Sequence, residues 1–183
     1  MRDLRDYSGE FIPDLQLSDF SHDTVVQIIN LYSQLYIAMD GFWYLAVMEK
    51  YGNEEALACD MHAWEKVAKY EMKRITEALN IKNRDVSSFM KAMQLTPWCQ
   101  KMKYSMEILK PDKAVFTVTY CPTLDALEKE GKGRQIPICK EIEPKILEWY
   151  ATFFNPEIKF ESLSPLPRKS TEDVCCRWSI YKK

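Results

Sequence analysis

Histidine is nearly missing from this 183-residue chain: only His22 and His62 occur. A Ser-His-Asp triad has little to draw on, and His62 points away from the apolar stripe of its predicted helix. None of the six cysteines stands in a CxxC pair, so the strongest zinc signature is lacking. No basic excess exists either. There are 25 Lys and Arg against 27 Asp and Glu, giving a net charge of -2, and no nucleic-acid partner is expected. The longest apolar stretch is broken by Asp40 and is too short to cross a bilayer, so no membrane partner is expected. Residues 1–6 are charged and carry no apolar leader core, which points to the cytoplasm. In a reducing compartment six cysteines read as free thiols, ligands or nucleophiles instead of disulfides. No repeat, low-complexity segment or internal linker interrupts the chain.

What is present fits one domain over residues 1–183, long enough to bury a core without disulfides. Residues 1–20 read as an extended arm tacked down by Phe11, Leu15, Leu17 and Phe20. Residues 21–96 form the helical part. A long helix is predicted over 22–51, apolar on nearly every side between Leu35 and Met48, interrupted at Asp40 and Gly41, and therefore placed in the middle of the fold. A second helix spans 54–79 and a short third covers 86–95, capped by Asp85. Residues 97–183 hold the sheet. Alternation of Met102, Tyr104, Met106 and Ile108 with polar residues marks a half-buried strand. A turn at 110–113 leads to a return strand over 114–121. Thr123 is the expected cap of a helix over 124–130, and a further helix runs over about 139–154 with Pro144 near its start. Strands over 158–163 and 174–181 complete the pattern. The expected fold is α+β, a four-stranded antiparallel sheet with long helices packed on one face.

Chemistry concentrates at the junction Thr119-Tyr120-Cys121-Pro122-Thr123, where a strand runs into a helix. A thiol at a helix N-terminus has its thiolate favoured by unpaired N–H groups and the helix dipole. Cys139 also lies near a helix start. Of the adjacent pair, Cys176 shares a strand face with Trp178 and Ile180, and Cys175 shares one with Arg177 and Ser179, so only one should reach the site. The candidate metal ligands are Cys121, Cys139, Cys176 and Cys175, with Glu141, Glu143 or water as a further ligand, and sulfur-rich sets of this type select zinc or iron–sulfur clusters. The plain alternative is that these thiols are small buried apolar residues.

Asp40 in its apolar helix needs a partner, with Arg74 or a tyrosine as candidates, or else serves as a base or polar anchor in a pocket. Asp60, Glu71 and Arg74 fall on one helix edge that can line a cleft or hold interhelical ion pairs. Tyr36, Trp43, Tyr44 and Trp64 can line a pocket for a planar ligand, or pack as ordinary core. Lys132, Arg134, Arg168 and Lys169 are loop cations able to meet a carboxylate.

The segments GFWYLAVMEKYG (41–52), DMHAWEKVAKYEMKRI (60–75), TVTYCPTLDALEKEGKG (117–133), PICKEIEP (137–144) and CCRWSIY (175–181) resemble an uncharacterised family of prokaryotic cytosolic proteins. That family is distantly similar to L-2-amino-thiazoline-4-carboxylic acid hydrolases and, in fold, to 4-vinyl reductase-like domains. The resemblance implies a ligand cavity between helices and sheet, with Cys121, Cys139 and Cys176 on the family's cysteine positions. The expectation is a small-molecule hydrolase-like protein with a cysteine thiolate or zinc centre acting on a small C=N or C=O substrate. Cys121, Asp40 and Glu71 are its candidate catalytic residues, and Trp43, Tyr36, Trp64 and Arg74 its ligand contacts. The alternative is a non-catalytic small-ligand or metal sensor with a structural zinc. A homodimer is compatible with either.

Overall fold

The computed structural model describes residues 2–182. In chain order the helices are α1 (His22–Tyr51), α2 (Asn53–Ala78), α3 (Val86–Met93), α4 (Pro122–Glu130), α5 (Gln135–Pro137) and α6 (Glu143–Phe154). The strands are β1 (Lys103–Lys110), β2 (Lys113–Tyr120), β3 (Ile158–Ser162) and β4 (Cys176–Lys182). They form one antiparallel sheet in the order β1-β2-β4-β3. The fold is α+β, as the alternation of periods in the sequence indicates.

Register explains why one face is apolar. Met106 pairs with Phe116, which pairs with Trp178, and Val118 lies between Tyr104 and Cys176. These side chains sit in phase on one face of the pleat and meet α3 and α6. α2 packs on α6, and α1 packs on α2 and on the short turn Cys99–Lys101. Ser21 caps α1 by accepting the Thr24 N–H at 3.3 Å, and Asp85 caps α3 by accepting the Ser88 N–H at 2.7 Å.

Three expectations require correction. α1 is not the central helix. It runs unbroken through Asp40 and Gly41, and its buried residues are Thr24, Ser33 and Tyr44 alone. α2 takes the middle instead, because Ala56 and Ala68 let neighbouring backbones approach closely on a face that also carries Met72. A period of apolar residues marks a face that can be buried, but does not say which neighbour arrives to bury it. The N-terminal arm is held by a parallel bridge between Leu4 and Phe20, while Phe11 stays 81% exposed and tacks nothing down. Finally, β4 starts at Cys176, so Cys175 lies in the preceding loop and strand alternation does not govern it.

The segment before α6 departs from α-helical geometry. Residues Ile138–Ile142 form a π-helical turn, in which the Glu143 N–H donates to the Ile138 carbonyl five residues back. Pro144 supplies the reason. It has no N–H for the carbonyl of residue 140, and its ring crowds that carbonyl, so the turn widens by one residue. The extra residue places Cys139 and Glu143 together on the side facing the cavities described next.

Candidate functional site

A cavity of about 320 Å³ opens between α1, α2, the start of α4 and the π turn. Tyr36, Asp40 and Tyr44 reach it from α1, and Asp60 and Trp64 from α2. Trp98 and Met102 form another wall, Thr123 comes from α4, and Arg134 and Glu143 close the far side. Its volume falls in the range of small-molecule sites, and the lining is mostly apolar with a few converging polar groups.

Those polar groups are carboxyls. Asp60 is 4% exposed, and its Oδ1 has no hydrogen-bond partner among the described residues. Burial pushes its carboxyl up to about 7, and the nearby Asp40 and Glu143 add to the shift. Burial likewise raises Glu143 to about 7, reinforced by Asp40. Asp40 is raised by burial, opposed by the Trp64 indole, which favours the charged forms of both aspartates. Arg134 is the one cation on the lining among the described residues. It is already engaged with Glu130 at 2.6 Å and stacked 5.2 Å from the Tyr44 ring. The site therefore has three acids with no cation left over to balance them.

Behind this cavity, and sharing Trp98, Met102, Thr123, Ile138 and Glu143 with it, lies a pocket of about 40 Å³. Cys121, Cys139, Cys175 and Cys176 all line it. Both members of the adjacent pair arrive, where strand alternation led to the expectation of only one: Cys175 comes from its loop and Cys176 from the inner face of β4. Their state differs from the expected thiolate. Cys121 Sγ caps α4 by accepting the Leu124 N–H at 3.5 Å, with Pro122 rather than Thr123 beginning the helix. This position favours the thiolate, but burial and the charge of Glu143 outweigh it and push the thiol up to about 12. Cys139 is also pushed up to about 12 by burial and Glu143, and burial raises Cys176 and Cys175.

Zinc was the expected metal for Cys121, Cys139, Cys175 and Cys176. As placed, they do not fit it. Among the described residues no three His, Cys, Asp or Glu side chains are positioned to hold a metal ion. The Cys175 thiol is directed to the Thr119 carbonyl at 3.4 Å, with the Arg168 guanidinium 3.6 Å from its sulfur, where it would oppose a cation.

The remaining candidates divide. Tyr36 and Trp64 line the main cavity, with their rings edge to face 6.4 Å apart. Trp43 does not. It faces an outer crevice between α1 and α2. Arg74 is exposed, 3.6 Å from Glu77 and stacked on Tyr70, and touches no cavity. Glu71 is buried but outside the lining. Its carboxylate accepts the Tyr36 hydroxyl at 2.6 Å and also the Tyr150 hydroxyl, and Tyr150 in turn accepts the Trp98 indole N–H at 2.8 Å. It is a positioning group for two cavity walls, Tyr36 and Trp98. Arg168 is paired with Glu128, so it is not a free anchor for a carboxylate.

One contributor escaped the sequence reading as a cavity acid. Asp60 stood there on a helix edge able to line a cleft, but Glu143 stood only as a spare metal ligand. The available signal for Glu143 was Pro144 inside an otherwise helical run.

A family model matches residues 18–181, and the chain belongs to that family, DUF6125, a family of unknown function. No match is found among curated proteins or among solved structures.

Proposed function

We propose that this member of the family is a small-molecule hydrolase-like protein whose reacting groups are the cavity carboxyls. The observation that carries the reading is that Asp60 and Glu143 face one cavity and both hold pKa values near 7. Near neutral pH each is present in both forms, so one can act as base while the other acts as acid. The ionised carboxylate accepts a proton from water as the water oxygen bonds to the carbon of a small C=N or C=O group. The electron pair of that double bond moves to the nitrogen or oxygen, which takes the proton of the second carboxyl. The adduct then collapses: the second carboxyl takes back a proton from an adduct oxygen as the C=O forms, the C–N or C–S bond breaks, and the leaving atom takes the proton of the first carboxyl, which returns both acids to their starting forms. Cys121 is a thiol at this pH, so water and not sulfur is the attacking group. Glu71 holds Tyr36 and, through Tyr150, Trp98 against the substrate.

The test is turnover of a panel of small thiazolines, imidazolines and amides, read by product formation across pH 5–9. A bell-shaped profile centred near pH 7 is expected. Asp60→Asn or Glu143→Gln should lower kcat by about 100-fold or more, while Cys121→Ser should retain it within about tenfold. A second reading rests on the mostly apolar lining: the cavity holds a ligand without converting it, as a sensor does. Saturable binding with no product across the whole panel selects that reading.

A further inference from the structure

We infer that the ligand of this cavity is a small organic cation, an amidinium or ammonium carried on a planar or apolar body. The inference rests on the cavity being a small-molecule site, and names its chemical class. Its basis is an imbalance of charge. Asp40 from α1, Asp60 from α2 and Glu143 at the start of α6 converge on one space. The single cation there among the described residues, Arg134, is tied to Glu130. Asp60 Oδ1 is buried with no partner among the described residues, and a buried acceptor left unpaired is costly unless something arrives to donate to it. An N–H-bearing cation supplies both the missing donor and the missing charge. The walls match the rest of such a molecule, since Tyr36, Tyr44, Trp64 and Trp98 present aromatic surface, which attracts cations at its faces.

Competing charges on every side of the cavity are accounted for. Tyr36 and Tyr44 on α1 are raised by burial and remain neutral hydroxyls. Cys121 and Cys139 behind the site are neutral thiols. The titrating groups that face the ligand are therefore the three carboxyls. Because Asp60 and Glu143 ionise near 7, a cation competes with their protons, and its affinity must rise with pH.

The experiment is calorimetric titration with benzamidinium, phenethylammonium and imidazolium, each against a neutral isostere such as benzamide, at pH 6, 7 and 8. At least one cation should bind, the isosteres should bind more than tenfold more weakly, and the affinity for benzamidinium or phenethylammonium should grow about tenfold or more between pH 6 and pH 8, since ionisation of one such acid rises about tenfold over that span. Asp60→Asn should reduce that pH dependence without abolishing it, since Glu143 still titrates near 7. The wild-type pH series stands without any variant, so misfolding of a mutant does not blunt the test. Equal binding of benzamide, affinity flat or falling with pH, or no binding of any cation at millimolar concentration overturns the inference. Failure of the hydrolase reading looks different: the cations still bind, but no compound in the panel is turned over.

A separate observation concerns α1, and here the geometry points to an interface with a second copy of this chain. Ile28, Leu31, Tyr32, Leu35, Met39 and Phe42 fall within an arc of about 100° at 100° per residue. From Leu31 to Phe42 that arc is exposed, with Met39 70% and Phe42 71% exposed, and Ile28 at its N-terminal end is half-buried. Ile28, Leu35 and Phe42 are seven apart, as are Tyr32 and Met39, which is the spacing that packs helix on helix. With Ile29 and Trp43 alongside, the patch exposes on the order of 800 Å², beyond what a monomer usually leaves open and equal to one partner's share of a standard interface. The occupant is a second α1 related by a two-fold axis, because an uncharged, heptad-spaced stripe is its own complement. Phe42 also lines the cavity, so the partner copy would border the cavity mouth.

Sedimentation equilibrium tests this. A dimer is expected at 10 µM, and Leu35→Glu with Met39→Glu should yield a monomer with an unchanged circular dichroism spectrum, since both side chains are exposed. A wild-type monomer at 100 µM overturns the proposal, as does flotation of the wild-type monomer with neutral lipid vesicles, which would assign the stripe to a membrane surface.

Discussion

Asp60 shows how a single buried carboxyl can cost stability while facing a cavity. Its pKa in the folded protein rises from 3.8 to about 7 because burial and two neighbouring acids disfavour the charged form. A raised acid binds its proton more tightly in the folded state. Its folding contribution is therefore most favourable at low pH and is lost as pH climbs from about 4 through about 7. Asp60→Asn removes this penalty. The variant should be more stable than wild type at pH 8 by on the order of 2 kcal/mol, or roughly 5 °C in Tm. The gain should shrink toward pH 5, where the folded carboxyl is already neutral. Thermal melts at both pH values check this, and a variant less stable than wild type at pH 8 would contradict it. Stability gained with activity lost is the expected signature of a strained functional site. Glu71 is the contrasting residue. It is equally buried but satisfied by two hydroxyls, and so acts through the walls it holds.

Pro144 organises the largest local departure from regular helix. Because it cannot donate to the carbonyl of residue 140, the chain takes a π turn, and Glu143 and Cys139 face the cavities. Pro144→Ala restores the missing donor. The helix should then tighten to α geometry and swing Glu143 away from Asp40 and Asp60. Benzamidinium affinity should drop about tenfold while Tm holds or rises, because alanine is the better helix former. Unchanged affinity would show that the turn does not position the acid. A proline within a helical pattern was visible in the sequence, but its consequence was not, since the widened turn depends on residues packed on both sides of it. The exchange of roles between α1 and α2 has a similar origin. α1 is richer in apolar residues, yet α2, with Ala56 and Ala68 at its contacts, is the helix that the others can approach.

Across the whole molecule, the cavity exists because helices and sheet do not close completely on one another. α1 packs on α2 and α2 packs on α6, and the gap between them opens toward α4 and the π turn. The thiols lie at the sheet end of that gap and the acids at the helix end, with Glu143 belonging to both. The exposed stripe of α1 meets this arrangement only at Phe42, on the cavity lining.

By itself, the sequence determined the alternation that makes the sheet, the periods that make the helices, and the hairpin at 110–113. These follow from local rules, since side-chain direction repeats every two residues in a strand and every 3.6 in a helix. Tertiary structure alone brought three acids to one cavity. Asp40, Asp60 and Glu143 lie on three different elements, and no spacing along the chain relates them. It also decided that the thiols stay protonated, because a helix N-terminus favours a thiolate only when burial and a neighbouring carboxylate do not outweigh it. A residue's position can be read from its neighbours in sequence, but its charge state depends on what surrounds it in space.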